Sequence, residues 1–262
     1  MKLPIYQVDA FTDGPFTGNP AAVVPLEKWL PDDVMQKIAE ENNLSETAFF
    51  VKEGEGYHIR WFTPGVEVAL CGHATLASAH VMWSVLGHAS DTIPLTCRIG
   101  KLSVRKDEDL YTLNFPTDTL QNRSELITAI SDALGVTVKE VHEGRDDLLA
   151  VVESEEVVAN LKPDFRKVSQ FDVRGLLVTA NGSDEYDFVS RGFFPLTGVN
   201  EDPATGSAHT TLTPYWVEKL EKTSFKACQL SKRKGYFNCT LKGDRTLISG
   251  KAHMYLVGEI SI

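Results

Sequence analysis

The feature that most constrains this chain is an internal echo. His58-Ile59-Arg60-Trp61-Phe62-Thr63-Pro64 is followed by Cys71-Gly72-His73-Ala74-Thr75-Leu76, and Phe188-Val189-Ser190-Arg191-Gly192-Phe193-Phe194-Pro195 is followed by Thr205-Gly206-Ser207-Ala208-His209. Each half thus has a β-patterned run with Arg, an aromatic and Pro, then a Gly-polar-Ala start to an apolar helix. Gly72 and Gly206 lie 134 positions apart in a chain of 262. A spacing this long points to a duplicated domain and not to a solenoid, whose units repeat every few tens of residues.

The first of the echoed helices carries a second constraint. Ala74, Leu76, Ala77, Ala79, Val81, Met82, Trp83, Val85 and Leu86 leave almost no polar face before Gly87. A helix that is apolar all round is buried all round. Its sequence neighbours are mainly strands: Tyr6–Phe11, Ala21–Val24, Thr47–Lys52 and His58–Phe62 read as such, parted by Gly, Pro and Asn turns. Among a few helical runs, a helix is expected over Pro31–Ala39, with an acidic first turn and Val34, Ile38 and Ala39 on one face. The segment Asp13–Pro20 reads as a turn. The economical architecture is a sheet or barrel wrapped around a central helix, once per half. The second helix is less regular, because Pro214 predicts a kink or a fresh start within Leu212–Val217.

Composition narrows the function classes. The formal net charge is −10, so the long-range attraction a nucleic-acid or anionic-membrane binder needs is missing. A small anionic metabolite needs only a locally positive pocket. The N-terminus meets Pro4 and Asp9 too early for a signal-peptide core, and no stretch approaches the ~20 apolar residues of a membrane span. A soluble, cytoplasmic protein without nucleic-acid or membrane partners is expected. Cys71, Cys97, Cys228 and Cys239 form no CxxC pair, which predicts four reduced thiols and no zinc site. No GxGxxG, Walker A, HExxH or GxSxG pattern is present. The run Lys232-Arg233-Lys234 reads as solvated surface.

Chemistry is expected at the two helix starts. Helix N-termini expose unpaired N–H groups and a partial positive charge, so Gly72-His73 and Gly206-Ser207 offer anion-binding ends, and a pseudo-twofold relation between the halves would turn both to one cleft. The same glycines also serve simply as turn residues. Glu46 stands directly before the apolar strand Thr47–Phe50, and a carboxylate partly withdrawn from water suits general acid–base work, although many such residues are solvated. Asp202 precedes the second glycine and reads either as a turn residue or as a group that holds a ligand amine. His73 is a proton donor or acceptor, or a satisfied structural histidine. Cys71 is a buried small residue or a thiol base, and its counterpart in the echo is Thr205. The counterpart of Ser45–Phe50 is Val173–Val178, which supplies no acid. Any active site is therefore asymmetric.

At these residues the sequence resembles the PhzF family, the phenazine-biosynthesis-like proteins of the diaminopimelate epimerase-like fold. The matching elements are Val8-Asp9-Ala10-Phe11-Thr12 with Gly18-Asn19-Pro20-Ala21, Ser45-Glu46-Thr47-Ala48-Phe49, Arg60-Trp61-Phe62-Thr63-Pro64, Cys71-Gly72-His73-Ala74-Thr75, and Glu201-Asp202-Pro203-Ala204-Thr205-Gly206-Ser207-Ala208, in family order. The resemblance implies an α+β fold of two pseudo-symmetric domains, each a β-barrel around a central helix, with the active site between them and a homodimeric assembly. On this reading the domains are residues 1–117 and 118–262, with the last strand able to return to the first domain.

The family's best-known member isomerises trans-2,3-dihydro-3-hydroxyanthranilate. By the match, Glu46 corresponds to its proton-transferring glutamate, and His73, Asp202, Ser207 and the amides of Gly72 and Gly206 to its substrate-contacting groups, with no metal or organic cofactor required. Related epimerases use two cysteines; here Cys71 takes the first thiol position and Thr205 the second, which argues against two-base racemisation. Three functions follow in order: a cofactor-independent isomerase of a small amino or hydroxy carboxylic acid; a racemase or epimerase using Cys71 with Glu46; and a metabolite-binding protein that keeps the fold without the reaction.

Overall fold

The computed structural model describes residues 1–183 and 185–262. It divides into two compact units, one of residues 1–114 with 249–262 and the other of residues 115–248.

The first unit opens with β1 (Lys2–Thr12), β2 (Asn19–Leu26), helix α1 (Asp32–Asn42), β3 (Glu46–Glu53), β4 (Gly56–Phe62) and the short β5 (Glu67–Val68). Helix α2 (Gly72–Ser84) follows, then β6 (Thr92–Cys97), β7 (Gly100–Asp107) and β8 (Leu110–Pro116). The expected turn over Asp13–Pro20 is shorter in fact, because Asn19 and Pro20 already pair with Ala10 and Asp9 at the start of β2. The strands run β1-β2-β3-β4-β6-β7-β8, and the chain's last strand, Arg245–Ser261, closes the circle by pairing with both β8 and β1. Inside this barrel lies α2, whose residues Gly72 to Ala79, Val81 and Met82 are all buried. The helix stops at Ser84, so Val85 and Leu86 of the apolar run fall outside it and are exposed. Outside the barrel, α1 sets Met35, Ile38 and Ala39 against Ala22, Val24, Phe49 and Phe62. Because β2 and β3 are covered on both faces they read as continuous apolar runs. Glu46 shares its strand face with Ala48 and Phe50, opposite to the one that Phe49 presents to α1.

The second unit contains β9 (Gln121–Asn122), α3 (Ile127–Leu134), β10 (Val138–Glu143), β11 (Asp147–Val152), α4 (Glu155–Ala159) and α5 (Phe165–Val168). It continues through β12 (Gly175–Asn181), β13 (Phe188–Phe193), α6 (His209–Leu220), β14 (Ser224–Gln229) and β15 (Gly235–Lys242), and shares β16 (Arg245–Ser261) with the first unit. Helices α3, α4 and α5 pack Ile130, Leu134, Val158 and Val168 onto Leu148, Ala150, Leu176 and Val178. The buried helix is α6, with His209, Thr211, Leu212, Thr213, Tyr215 and Trp216 enclosed. Pro214 lies inside this continuous helix and does not restart it. The carbonyl that Pro214 cannot reach, that of Thr210, accepts instead from the Asp118 N–H at 3.2 Å.

The two units repeat one ladder. In the first, β2 and β3 are parallel, β3 and β4 antiparallel, β4 and β6 parallel, β6 and β7 antiparallel. The second repeats this order in β11, β12, β13, β14 and β15. The fold is α+β, a barrel around a central helix, in the diaminopimelate epimerase-like class.

The echoed arginines have the same job in each unit. Arg60 grips Glu67 with Nε and Nη2 at 2.7 and 2.8 Å and lies 5.1 Å over the Phe62 ring. Arg191 grips Glu201 at 2.6 and 2.9 Å and lies 5.1 Å over the Phe193 ring. Two-toothed guanidinium–carboxylate pairs are geometrically demanding, so the repeated motif fixes a strand to the loop that leads into the buried helix.

Candidate active site

In the first unit, three elements bring their ends together. Glu46 opens β3, Cys71 is the residue before α2, and His73 is the second residue of that helix. Glu46 Oε2 lies 3.0 Å from His73 Nε2, while His73 Nδ1 lies 3.5 Å from Cys71 Sγ and 3.3 Å from Asn19 Nδ2. Cys71 and His73 are buried, and the Glu46 side chain is 17% exposed. The Glu46–His73 contact is at ion-pair distance, yet it misses hydrogen-bond alignment: both Oε2 and Nε2 are buried without an aligned partner among the described residues.

The charges of this cluster depend on one another. Burial works against a charged His73, but the Cys71 sulfur and the Glu46 carboxylate outweigh it and hold the imidazole well above its ordinary range. Burial, reinforced by Glu46, pushes the Cys71 thiol up. The first intrahelical bond of α2 runs from Thr75 N to Cys71 O, which leaves the Gly72 and His73 N–H groups ahead of the ladder. Glu46, Cys71 and His73 also offer one ligand atom each within 4.8 Å of one another. Thiol, imidazole and carboxylate in that spacing would suit a divalent ion such as zinc. The absence of a CxxC pair does not reveal this set, because its members meet only in the fold.

In the second unit, Asp202, Gly206 and Ser207 lie on the segment before α6. The helix starts at His209, not at Gly206 as the sequence suggests. Gly206 and Ser207 form a tight turn whose carbonyls accept from His209 N and Thr210 N, both at 3.1 Å. The turn makes i to i+3 bonds and delays the α-helical ladder by one turn. Asp202 Oδ2 accepts from Thr205 Oγ1 at 2.5 Å, and Asp202 N donates to Gly192 O at 3.1 Å. Gln229 braces the segment, accepting from Thr205 N at 2.8 Å and donating to Asp202 O at 2.7 Å. Thr205 thus spends its hydroxyl proton on Asp202. His209 Nδ1 meets Thr205 O at 3.1 Å, and burial drops this imidazole to about 4, the opposite direction to His73.

Register corrects the echo by one residue. Thr47 stands opposite Phe62 and Leu176 opposite Phe193, so the counterpart of Glu46 is Gly175, and Arg174 corresponds to Ser45. The second unit does lack an acid at that point. Beside it stands a pair the sequence reading missed: Arg174 binds both oxygens of the buried Asp147, which faces Gly175 across the parallel β11–β12 ladder. Isolated charges opening two apolar strands were the available signal, but only the register makes them partners.

Residues 8–258 match the family model of the phenazine biosynthesis-like proteins, PhzC-PhzF. The chain belongs to this family. It is 50% identical to an uncharacterized isomerase of Pseudomonas aeruginosa, with all of both chains covered. A crystal structure of a PhzF-family phenazine biosynthesis protein from Enterococcus faecalis superposes with a TM-score of 0.97 at 48% identity, again over all of both chains. A hydroxyproline epimerase of Agrobacterium vitis shares the fold, with a TM-score of 0.59 at 11% identity over 99% of this chain and 91% of that one. Among the described residues no helix is long and apolar enough to cross a membrane.

Proposed function

We propose that this protein moves a proton between two carbons of a small amino or hydroxy carboxylic acid, with Glu46 as the carrier. The coarser statement, an isomerase, comes from the family and the relatives just described. The finer one rests on a contrast among carboxylates. Glu67 and Glu201 each have both oxygens claimed by a guanidinium. Glu46 has a buried oxygen with no aligned donor among the described residues, 3.0 Å from the imidazole of His73. A carboxylate held but not saturated is ready to accept a proton from carbon.

In the forward step Glu46 takes the proton from one carbon, and the electron pair left behind spreads into the substrate's π system. The neutral Glu46 acid then returns the proton to a second carbon on the same face, which restores the carboxylate. His73, with the N–H groups of Gly72 and His73, would stabilise negative charge developing on the substrate. Asp202, Gly206 and Ser207 are carried over from the family resemblance as groups that hold the amino acid.

The test is proton exchange in D2O on trans-2,3-dihydro-3-hydroxyanthranilate or another turned-over amino acid, followed by NMR at the receiving carbon. Glu46→Gln is expected to slow transfer by about a hundredfold or more; full transfer by that variant overturns the assignment.

One observation favours a racemase reading, the 3.5 Å contact between Cys71 Sγ and His73 Nδ1. It requires the thiol to turn over a proton, and undiminished turnover in Cys71→Ala removes it.

A further inference from the structure

The second unit contains a built assembly that the proposed proton transfer does not use. Asp147 is 1% exposed at the start of β11, and its two oxygens receive Nε and Nη2 of Arg174. The remaining arm, Nη1, donates to Ser207 Oγ at 3.2 Å. Beneath the guanidinium, at 5.7 Å, lies the ring of Phe194. That ring occupies space released by two glycines: a Cβ on Gly175 would meet Phe194 Cδ1 at 2.3 Å, and one on Gly192 would meet Cε2 at 2.8 Å. Two strands have thus given up side chains so that Phe194 can seat Arg174. The backbone at Ser207 is pinned as well, since its carbonyl accepts from Thr210 Oγ1 at 2.8 Å and Thr210 N at 3.1 Å.

A serine hydroxyl has one proton and two lone pairs. The Arg174 N–H occupies a lone pair and cannot compete for the proton, and no acceptor for that proton is found among the described residues. A hydroxyl arranged this way is a donor, polarised by a neighbouring cation. We propose that Arg174, anchored by Asp147, is a positioning residue that turns Ser207 into a hydrogen-bond donor for the carboxylate of the substrate. This rests on the reading of Ser207 as a ligand-contacting residue, but not on the role of Glu46.

The test uses the full-length protein with two fluorescent probes, anthranilate and aniline, which differ by the carboxylate. Affinities are measured by titration for the wild type, Ser207→Ala, Arg174→Ala, Arg174→Lys and the Arg174→Ala/Ser207→Ala double variant. Loss of a charge-supported hydrogen bond is expected to weaken anthranilate about tenfold in both alanine variants and to leave aniline unchanged. The double variant should be no weaker than Ser207→Ala, because Arg174 acts through that hydroxyl. Lysine keeps a charge beside Asp147 but cannot span Asp147 and Ser207 together, so a folded Arg174→Lys protein should lose affinity too.

Wild-type affinity in Arg174→Lys overturns the proposal, as do additive losses in the double variant, equal losses for aniline, or no anthranilate binding by the wild type at all. The Glu46 assignment fails separately: a Glu46→Gln protein that still transfers the proton sinks it without touching the anthranilate result.

Discussion

The two units are built on one plan and carry different residues at the start of the buried helix. Both carry the same ladder and the same arginine grip, Arg60 on Glu67 and Arg191 on Glu201. They part at the mouth of the buried helix. The first unit places Glu46, Cys71 and His73 there, with buried polar atoms lacking aligned partners. The second places Gly175, Thr205 and Ser207 at the corresponding points, and its Thr205 hydroxyl is tied to Asp202. The contacts that hold strands and loops recur in both units, while the residues at the start of the buried helix differ.

The grips themselves differ in depth, which gives the largest effect to look for. Arg191 is 11% exposed and also donates through Nη1 to the carbonyls of Leu161 and Val158, at 2.9 and 3.2 Å. The third partner of Arg60 is instead the well-exposed carboxylate of Asp32. Removing Arg191 strands a carboxylate and two carbonyls, whereas removing Arg60 strands one carboxylate and frees another into water. Arg191→Met should therefore cost about 4 kcal/mol and Arg60→Met about 2 kcal/mol in denaturant unfolding. Equal costs would mean that the backbone contacts of Arg191 contribute nothing.

The histidines at the helix starts give the next effect, with opposite signs. His209 has its folded-state value depressed to about 4, so below pH 6.5 the unfolded chain takes up the proton first. Its contribution is whole above pH 6.5 and is lost as pH falls through 4, on the order of 3 kcal/mol. His73 is raised; its contribution is whole below about pH 6.5 and is lost as pH rises through its folded value. Unfolding midpoints measured across pH should show His209→Asn flattening the acid limb and His73→Asn the alkaline one. The acid limb will not vanish, because burial, with Lys106 and His253 nearby, also holds His80 of the first unit near 4.

Much of this plan was legible in the sequence, and the failures have local causes. The all-apolar run from Ala74 announced a buried helix because burial on every side leaves no polar face to hide. Pro214 does not restart α6, and the carbonyl it orphans finds a donor in Asp118, which is distant in sequence and so could not be read in advance. The start of α6 was placed too early because Gly206-Ser207 has the composition of a helix start but closes i to i+3 bonds. The echo slipped by one residue at Gly175, where no matching side chain marks the register. Asp147 and Arg174 stayed hidden for a related reason: strand pairing is non-local, so neither residue names its partner.

The smallest effect separates a position limited by packing from one proposed to carry chemistry. Gly175 and Glu46 hold the same place in the two ladders. At Gly175 the limit is space, since any Cβ collides with the Phe194 ring, which is 6% exposed and cannot swing freely. Gly175→Ala should cost about 1–2 kcal/mol by overpacking. At Glu46 a carboxylate is partly buried 3.0 Å from His73 without an aligned hydrogen bond among the described residues, and the proposed function gives it a proton to carry. Glu46→Ala lets His73 discharge, so its stability should move by less than about 1 kcal/mol while proton transfer is lost. If thermal unfolding instead shows Glu46→Ala as costly as Gly175→Ala, the carboxylate is part of the scaffold, and the contrast between a structural half and a reactive half does not hold.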